Sequence, residues 1–154
     1  MKIHHFTARQ VIPVTQERAW DFFSSPGNLS LITPPGLKFR ITSTDMPEKI
    51  YKGLQIDYRV SPLLNVPVRW LTKITEAEEP FSFVDEQLKG PYRYWKHQHF
   101  FNKVDGGIEM RDDVSYAIGF GFFGEVLNYM MIRKKIEEIF EYRRKKITEI
   151  FSIQ

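Results

Sequence analysis

Ile132-Arg133-Lys134-Lys135-Ile136-Glu137-Glu138-Ile139-Phe140-Glu141-Tyr142-Arg143-Arg144-Lys145-Lys146-Ile147-Thr148-Glu149-Ile150-Phe151 is the stretch whose periodicity decides the fold. Ile132, Ile136, Ile139, Ile147 and Ile150 recur at the three-and-four spacing of one α-helical face, which Phe140 and Phe151 widen and on which Arg143 also falls. The spacing predicts a helix from near Gly124 to beyond Glu149. Roughly 25 residues at 1.5 Å each make a rod of about 38 Å. Such a rod, apolar along one face, needs a wide concave surface to cover it.

The residues upstream supply that surface. Ile3 to Ile12 alternates as a strand and stops at Pro13. Thr15 is suited to cap a short helix over Glu17 to Phe23, and a second short helix is expected around Asn28 to Ile32, before Thr33-Pro34-Pro35-Gly36. The period then changes to two. Strands are predicted over 37–43, 53–61, 66–76, 81–88, 94–104 and 108–118. Turns fall at Glu79-Pro80, Lys89-Gly90-Pro91-Tyr92 and Asp105-Gly106-Gly107. Short turns make successive strands antiparallel. The reading is α+β: a curved antiparallel sheet of about seven strands wrapped around the long C-terminal helix, with two short helices after the first strand. Residues 1–154 are taken as a single domain. The space between sheet and helix is the natural place for a ligand.

Composition narrows the function. The chain has 154 residues, 42% apolar and 27% charged, enough to fill and cover one core and unlike a disordered chain. Aromatics make up 15%, which suits a thick core or the wall of an apolar cavity. With no cysteine there is no disulfide framework, thiolate zinc site, iron–sulfur cluster or cysteine nucleophile. The most apolar run, Ala117 to Ile132, has 16 residues broken by Glu125 and Asn128, short of the roughly 20 that span a bilayer. No secretory leader is visible at the N-terminus, and a cytoplasmic location without stable membrane insertion is expected. Seven Lys/Arg against three Glu between Arg133 and Lys146 carry +4 of a total of +3, leaving −1 elsewhere. This basic stretch reads as the solvated side of the amphipathic helix. No zinc-finger spacing, arginine-rich arm or RNP-type motif points to nucleic acid.

The local motifs are Ile32-Thr33-Pro34-Pro35, Pro67-Val68-Arg69-Trp70, Phe83-Val84-Asp85-Glu86-Gln87, Gly90-Pro91-Tyr92, Trp95-Lys96-His97-Gln98-His99, Asp112-Asp113-Val114-Ser115-Tyr116 and Tyr142-Arg143. Together with the element order they resemble the START/SRPBCC superfamily, the helix-grip group that includes birch-pollen-allergen-like proteins. Within it they resemble the bacterial ligand-binding branch labelled cyclase/dehydrase-like. The resemblance spans essentially the whole chain and implies a helix-grip fold with an internal cavity. It departs after Tyr116, where a proline-containing segment is expected and Ala117-Ile118-Gly119-Phe120-Gly121 stands.

Candidate site residues follow from strand parity. His97 and His99 share a strand face with Trp95 and Phe101. Glu86 and Asp112, on flanking strands, are the acids expected to meet them, with Tyr116 on the face of Asp112. Arg143, costly to bury alone, is expected to reach Asp112 or Glu86 across the interior. Tyr58, Trp70, Trp95 and Phe101 would line the pocket. A His-x-His pair with a carboxylate can hold a metal, but a buried polar network is the expected arrangement, with no metal and no cofactor.

Three functions fit. The preferred one is binding of a small, mostly apolar ligand that is lipid-, polyketide- or aromatic-like. The second is a cyclase- or dehydratase-type enzyme with His97 or His99 as general base. The third is a protein-interaction module using the basic helix, its partner unknown. Phe120-Gly121-Phe122-Phe123-Gly124 is expected to tuck its aromatics under the helix, the alternative being a gate or a membrane-touching tip.

Overall fold

The computed structural model describes residues 1–152. Strand β1 (His4–Ile12) leads into helix α1 (Gln16–Phe23), then two 3₁₀ turns (Pro26–Ile32 and Pro35–Leu37). Strands β2 (Arg40–Ile41), β3 (Gln55–Val60), β4 (Val68–Glu78), β5 (Ser82–Lys89), β6 (Tyr94–Val104) and β7 (Gly107–Ala117) follow. Helix α2 (Gly121–Leu127) runs through a π turn (Asn128–Ile132) into α3 (Arg133–Ser152). The seven strands form one antiparallel sheet in the order β1-β7-β6-β5-β4-β3-β2, so the chain's first strand pairs with its last. This is the expected helix-grip architecture.

Local chemistry explains the element ends. Thr15 Oγ1 accepts the Arg18 N–H at 3.2 Å and starts α1. The β6–β7 hairpin closes on Asp105-Gly106, and Gly107 follows at φ +143°, where a Cβ would lie 2.0 Å from the Ile12 carbonyl oxygen. Only glycine fits there.

Some boundaries differ from the sequence expectation. The second short helix is 3₁₀, beginning at Pro26. The strand expected over 37–43 shrinks to Arg40–Ile41, because Lys38 ends the second 3₁₀ turn in the left-handed region at φ 49°. Val66 lies in the loop before β4 and is exposed. The helix begins three residues earlier than expected, at Gly121. The aromatics before it do not tuck under: Phe120, Phe122 and Phe123 are 86%, 77% and 79% exposed. The inward position is taken by Gly124, packed so tightly on the Gly119 carbonyl that a Cβ would lie 1.9 Å from its oxygen. No ring has room there.

The sheet's concave face carries Ile56, Ile74, Phe83, Phe101 and Met110 against Trp20 of α1 and Ile147 and Phe151 of α3. Farther along the helix, Ile132, Ile136 and Phe140 pack on Val114 and Tyr116. Between these two packed regions Arg144 donates to the Arg9 carbonyl of β1 at 2.7 Å, and space is left under the helix on the side of β3 to β6.

Candidate functional site

That space is a partly open cavity of about 220 Å³. Its walls are largely apolar, with Leu29 and Phe39 from the loops, Tyr58 and Trp70 from β3 and β4, Trp95 from β6 and Ile139 from α3. The aromatic wall is ordered by ring contacts: Tyr58 stacks on Trp70 at 5.8 Å, and Trp95 meets Trp70 edge-on at 5.2 Å. Burial pushes the Tyr58 phenol well above its ordinary pKa, so it stays neutral.

One wall is different. Asp85, His97, His99 and Arg143 face the same space. Strand register builds the group: on β6, His97 lies opposite Asp85 of β5 and His99 lies opposite Asp112 of β7. The side chains then cross diagonally. His97 Nε2 bonds Asp112 Oδ1 at 2.8 Å, and His99 Nε2 bonds Asp85 Oδ2 at 2.7 Å. The two imidazoles stack at 3.7 Å. Arg143, buried on the apolar face of α3, brings its guanidinium within 3.5 Å of Asp112 Oδ1 and lies over the rings of Phe23 and Phe140.

The charges in this group act on one another. Burial opposes ionisation of Asp112, but Arg143 and the two histidines outweigh it and hold its carboxyl well below the usual range. Burial opposes ionisation of Asp85 as well, but the hydrogen bond from His99 and the charges of His97, His99 and Arg143 together lower its carboxyl. Burial and the neighbouring His99 depress His97. His99 is raised, since Asp112 and Asp85 on either side overcome its burial. Two carboxylates therefore face Arg143 and a pair of histidines that are shifted in opposite directions, His99 holding a proton more readily than His97. Of two stacked imidazoles so divided, His97 is the one suited to act as a base and His99 as an acid. Two buried atoms of the group, His99 Nδ1 and Arg143 Nε, have no hydrogen-bond partner among the described residues; Asp112 Oδ1 lies 3.3 Å from His99 Nδ1 without a bonding angle. Asp85, His97 and His99 also bring ligand atoms within 4.8 Å of one another, a two-histidine, one-carboxylate set able to hold a divalent ion.

The other predicted site residues divide. Tyr58, Trp70, Trp95, His97, His99 and Arg143 line the cavity. Asp112 stands behind the histidines and lines a second, polar groove between β1 and α3. Glu86 is corrected: it lies on the outer face opposite Lys73 and Lys96, and Asp85 takes the inward place. Phe101 is corrected as well, being packed beyond the cavity against Trp20, Phe23 and Phe83. Tyr116 does not reach the cavity; its hydroxyl donates to Asn128 Oδ1 at 2.9 Å. Asp85 is absent from the sequence expectation because Phe83 and Val84, adjacent and both apolar, leave the inward parity of β5 open.

The sequence matches no described protein family and no curated protein. Solved structures are similar in fold. TTHA0849 from Thermus thermophilus shares 18% identity over 95% of both chains, with a TM-score of 0.67. Ara h 8.0201 shares 14% over 96% of this chain and 99% of that one, also at 0.67. CV1439 from Chromobacterium violaceum reaches 0.73 at 9% identity, over 98% and 99% of the two chains. The chain therefore shares the helix-grip fold of these structures, as its element order implied.

Proposed function

We propose that the chain binds one small, mostly apolar, uncharged ligand between its sheet and long helix. The apolar body would lie on Tyr58, Trp70 and Trp95, and a carbonyl or hydroxyl would face the His97, His99 and Arg143 wall. The observation that carries this reading is a cluster of paired acids and bases set into one wall of an otherwise apolar cavity. Gathering five ionisable groups in the interior is costly unless they serve one another or a ligand, and part of their hydrogen-bonding capacity is unused among the described residues. The cavity exceeds the roughly 150 Å³ that accepts benzene, so a ligand of one or two fused rings, or a short acyl chain, suits it.

Native mass spectrometry of freshly purified protein, with titration of Trp70 and Trp95 fluorescence by 1-naphthol and by naphthalene, tests the proposal. A one-to-one complex that favours 1-naphthol by about tenfold, the worth of one charge-assisted hydrogen bond, is expected. His99→Gln should erase that preference while keeping affinity for naphthalene. Absence of any bound mass together with unchanged fluorescence for both probes would refute it.

The opposed shifts of His97 and His99 favour a second reading, proton abstraction next to a carbonyl. His97 would take the proton, and His99 with Arg143 would stabilise the enolate. Exchange of the α-protons of 2-tetralone in D₂O, followed by NMR, is the corresponding assay. Catalysed exchange with a bell-shaped pH profile that His97→Ala flattens would support an enzyme; exchange at the buffer rate leaves a binding protein.

A further inference from the structure

The β7–α2 junction forms the most apolar exposed part of the surface. Among the described residues four of the 13 phenylalanines are exposed, and three of these four are Phe120, Phe122 and Phe123. Tyr129 and Met130, one to two helical turns on, are 88% and 67% exposed. The π turn directs Asn128 inward, to Tyr116 and His4, and leaves these two outside. Strand direction brings a further element to the same end of the sheet. The β3–β4 loop, with Leu64 almost fully exposed, projects from the edge where β7 ends. A patch of this kind on a small domain marks an interaction site.

Charge identifies its partner. Arg133, Lys134 and Lys135 follow the apolar segment directly. Its one acid, Glu125, pairs with Lys2 at 3.4 Å, and Arg133 pairs with Glu137 at 3.5 Å, which leaves Lys134 and Lys135 as the excess charge beside the apolar segment. Bulky aromatics and methionine at a helix end, bordered by lysine and arginine, match the boundary between acyl chains and anionic headgroups. No helix among the described residues is long and apolar enough to cross a membrane, so the contact is peripheral.

We propose that this tip docks the chain on an anionic lipid surface, with Phe120, Phe122 and Phe123 entering the acyl boundary and Lys134 and Lys135 meeting phosphates. The cavity extends toward that end through Pro62 and Tyr92, which belong to the loops beside the tip. If the ligand-binding reading holds, docking sets the cavity beside a reservoir of apolar ligand.

Co-sedimentation of the full chain with vesicles of phosphatidylcholine alone, and of phosphatidylcholine mixed with phosphatidylglycerol, tests the proposal. Strong binding to the anionic vesicles and little to the neutral ones is expected. The double variant Phe122→Ser/Phe123→Ser should lose at least tenfold in partitioning, and Lys134→Glu/Lys135→Glu should lose binding together with its salt dependence. Both pairs are surface changes, and circular dichroism checks that each variant is folded. No binding by the parent chain, or equal binding by the Phe122→Ser/Phe123→Ser variant, overturns the proposal. So does a concentration-dependent dimer that this variant abolishes while vesicles bind neither form, which would make the tip a self-association face. Naphthol titration of the same variants separates the two readings: docking can fail with ligand binding intact, and the reverse.

Discussion

Asp112 is the residue on which the buried cluster turns, since it accepts from His97 and lies close to both His99 and Arg143. Replacing it by asparagine leaves a buried guanidinium without its counter-charge, and should cost about 3–5 kcal/mol, read from denaturant unfolding. The histidines titrate in opposite directions from the ordinary 6.5: in a ¹³C or ¹⁵N NMR titration one imidazole should lose its proton above that value and the other below it. The consequences for stability follow from those signs. The contribution of His99, raised when folded, is complete below about 6.5 and lost as pH rises through its folded value. That of His97, depressed when folded, subtracts stability as pH falls below about 6.5. Asp85 and Asp112, both lowered, stabilise the fold above 3.8 and lose that effect only at lower pH. Thermal midpoints should therefore change little through neutrality and fall steeply below about pH 4, with the Asp112→Asn variant showing a shallower acid limb. At this scale the sequence was half legible. His97, His99, Asp112 and Arg143 stand out because polar groups interrupt apolar stripes. Asp85 could not be told from Glu86, because Phe83 and Val84 are both apolar and both buried, so alternation alone leaves β5 with two parities.

The long helix is where element-scale packing is tightest. Gly124→Ala would place a methyl group against the Gly119 backbone, and should lower stability by about 1–3 kcal/mol, seen as a drop in thermal midpoint, with the tip displaced. Its stripe of isoleucines was readable because 3.6-residue periodicity is a local property of the chain. The same holds for the β6–β7 hairpin, whose Asp105-Gly106-Gly107 turn leaves few options. β2 was not readable in that way. Its length depends on Lys38 turning left-handed and on the Asp57 carbonyl collecting the amides of Thr42 and Ser43, contacts with a strand more than a dozen residues away. The exposed phenylalanines were misjudged for a related reason. Hydrophobicity favours burial, but the closeness of Gly124 to Gly119 removes the space, and no sequence pattern reports that distance.

For the whole molecule, the proposed ligand would act as a brace between the aromatic wall of β3, β4 and β6 and the Ile139 and Arg143 side of the long helix. A ligand at about 100 times its Kd adds about 2.7 kcal/mol to the folded state, and for a chain of this size should raise the thermal midpoint by roughly 5–10 °C. Differential scanning fluorimetry with 1-naphthol reads this directly, and Trp70→Ala should shrink the shift by emptying one wall of the cavity. The order of elements was legible at this scale because turn chemistry and period changes punctuate the chain at every strand. The diagonal crossing of two histidines with two aspartates was not, since it arises only when β5, β6 and β7 are laid side by side in register.

The π turn at Asn128–Ile132 has one further consequence. It makes the long helix one residue overfull, and each residue of an α-helix advances about 100° around its axis. The segment before the turn is thus out of phase with the stripe after it, and the bearing of the aromatic tip depends on a count of residues as well as on their identity. Removing Met130 would restore an unbroken α-helix and rotate Phe122 and Phe123 by roughly a quarter turn. Asn128 would swing away from Tyr116, and the tip would keep its phenylalanines while facing a different direction.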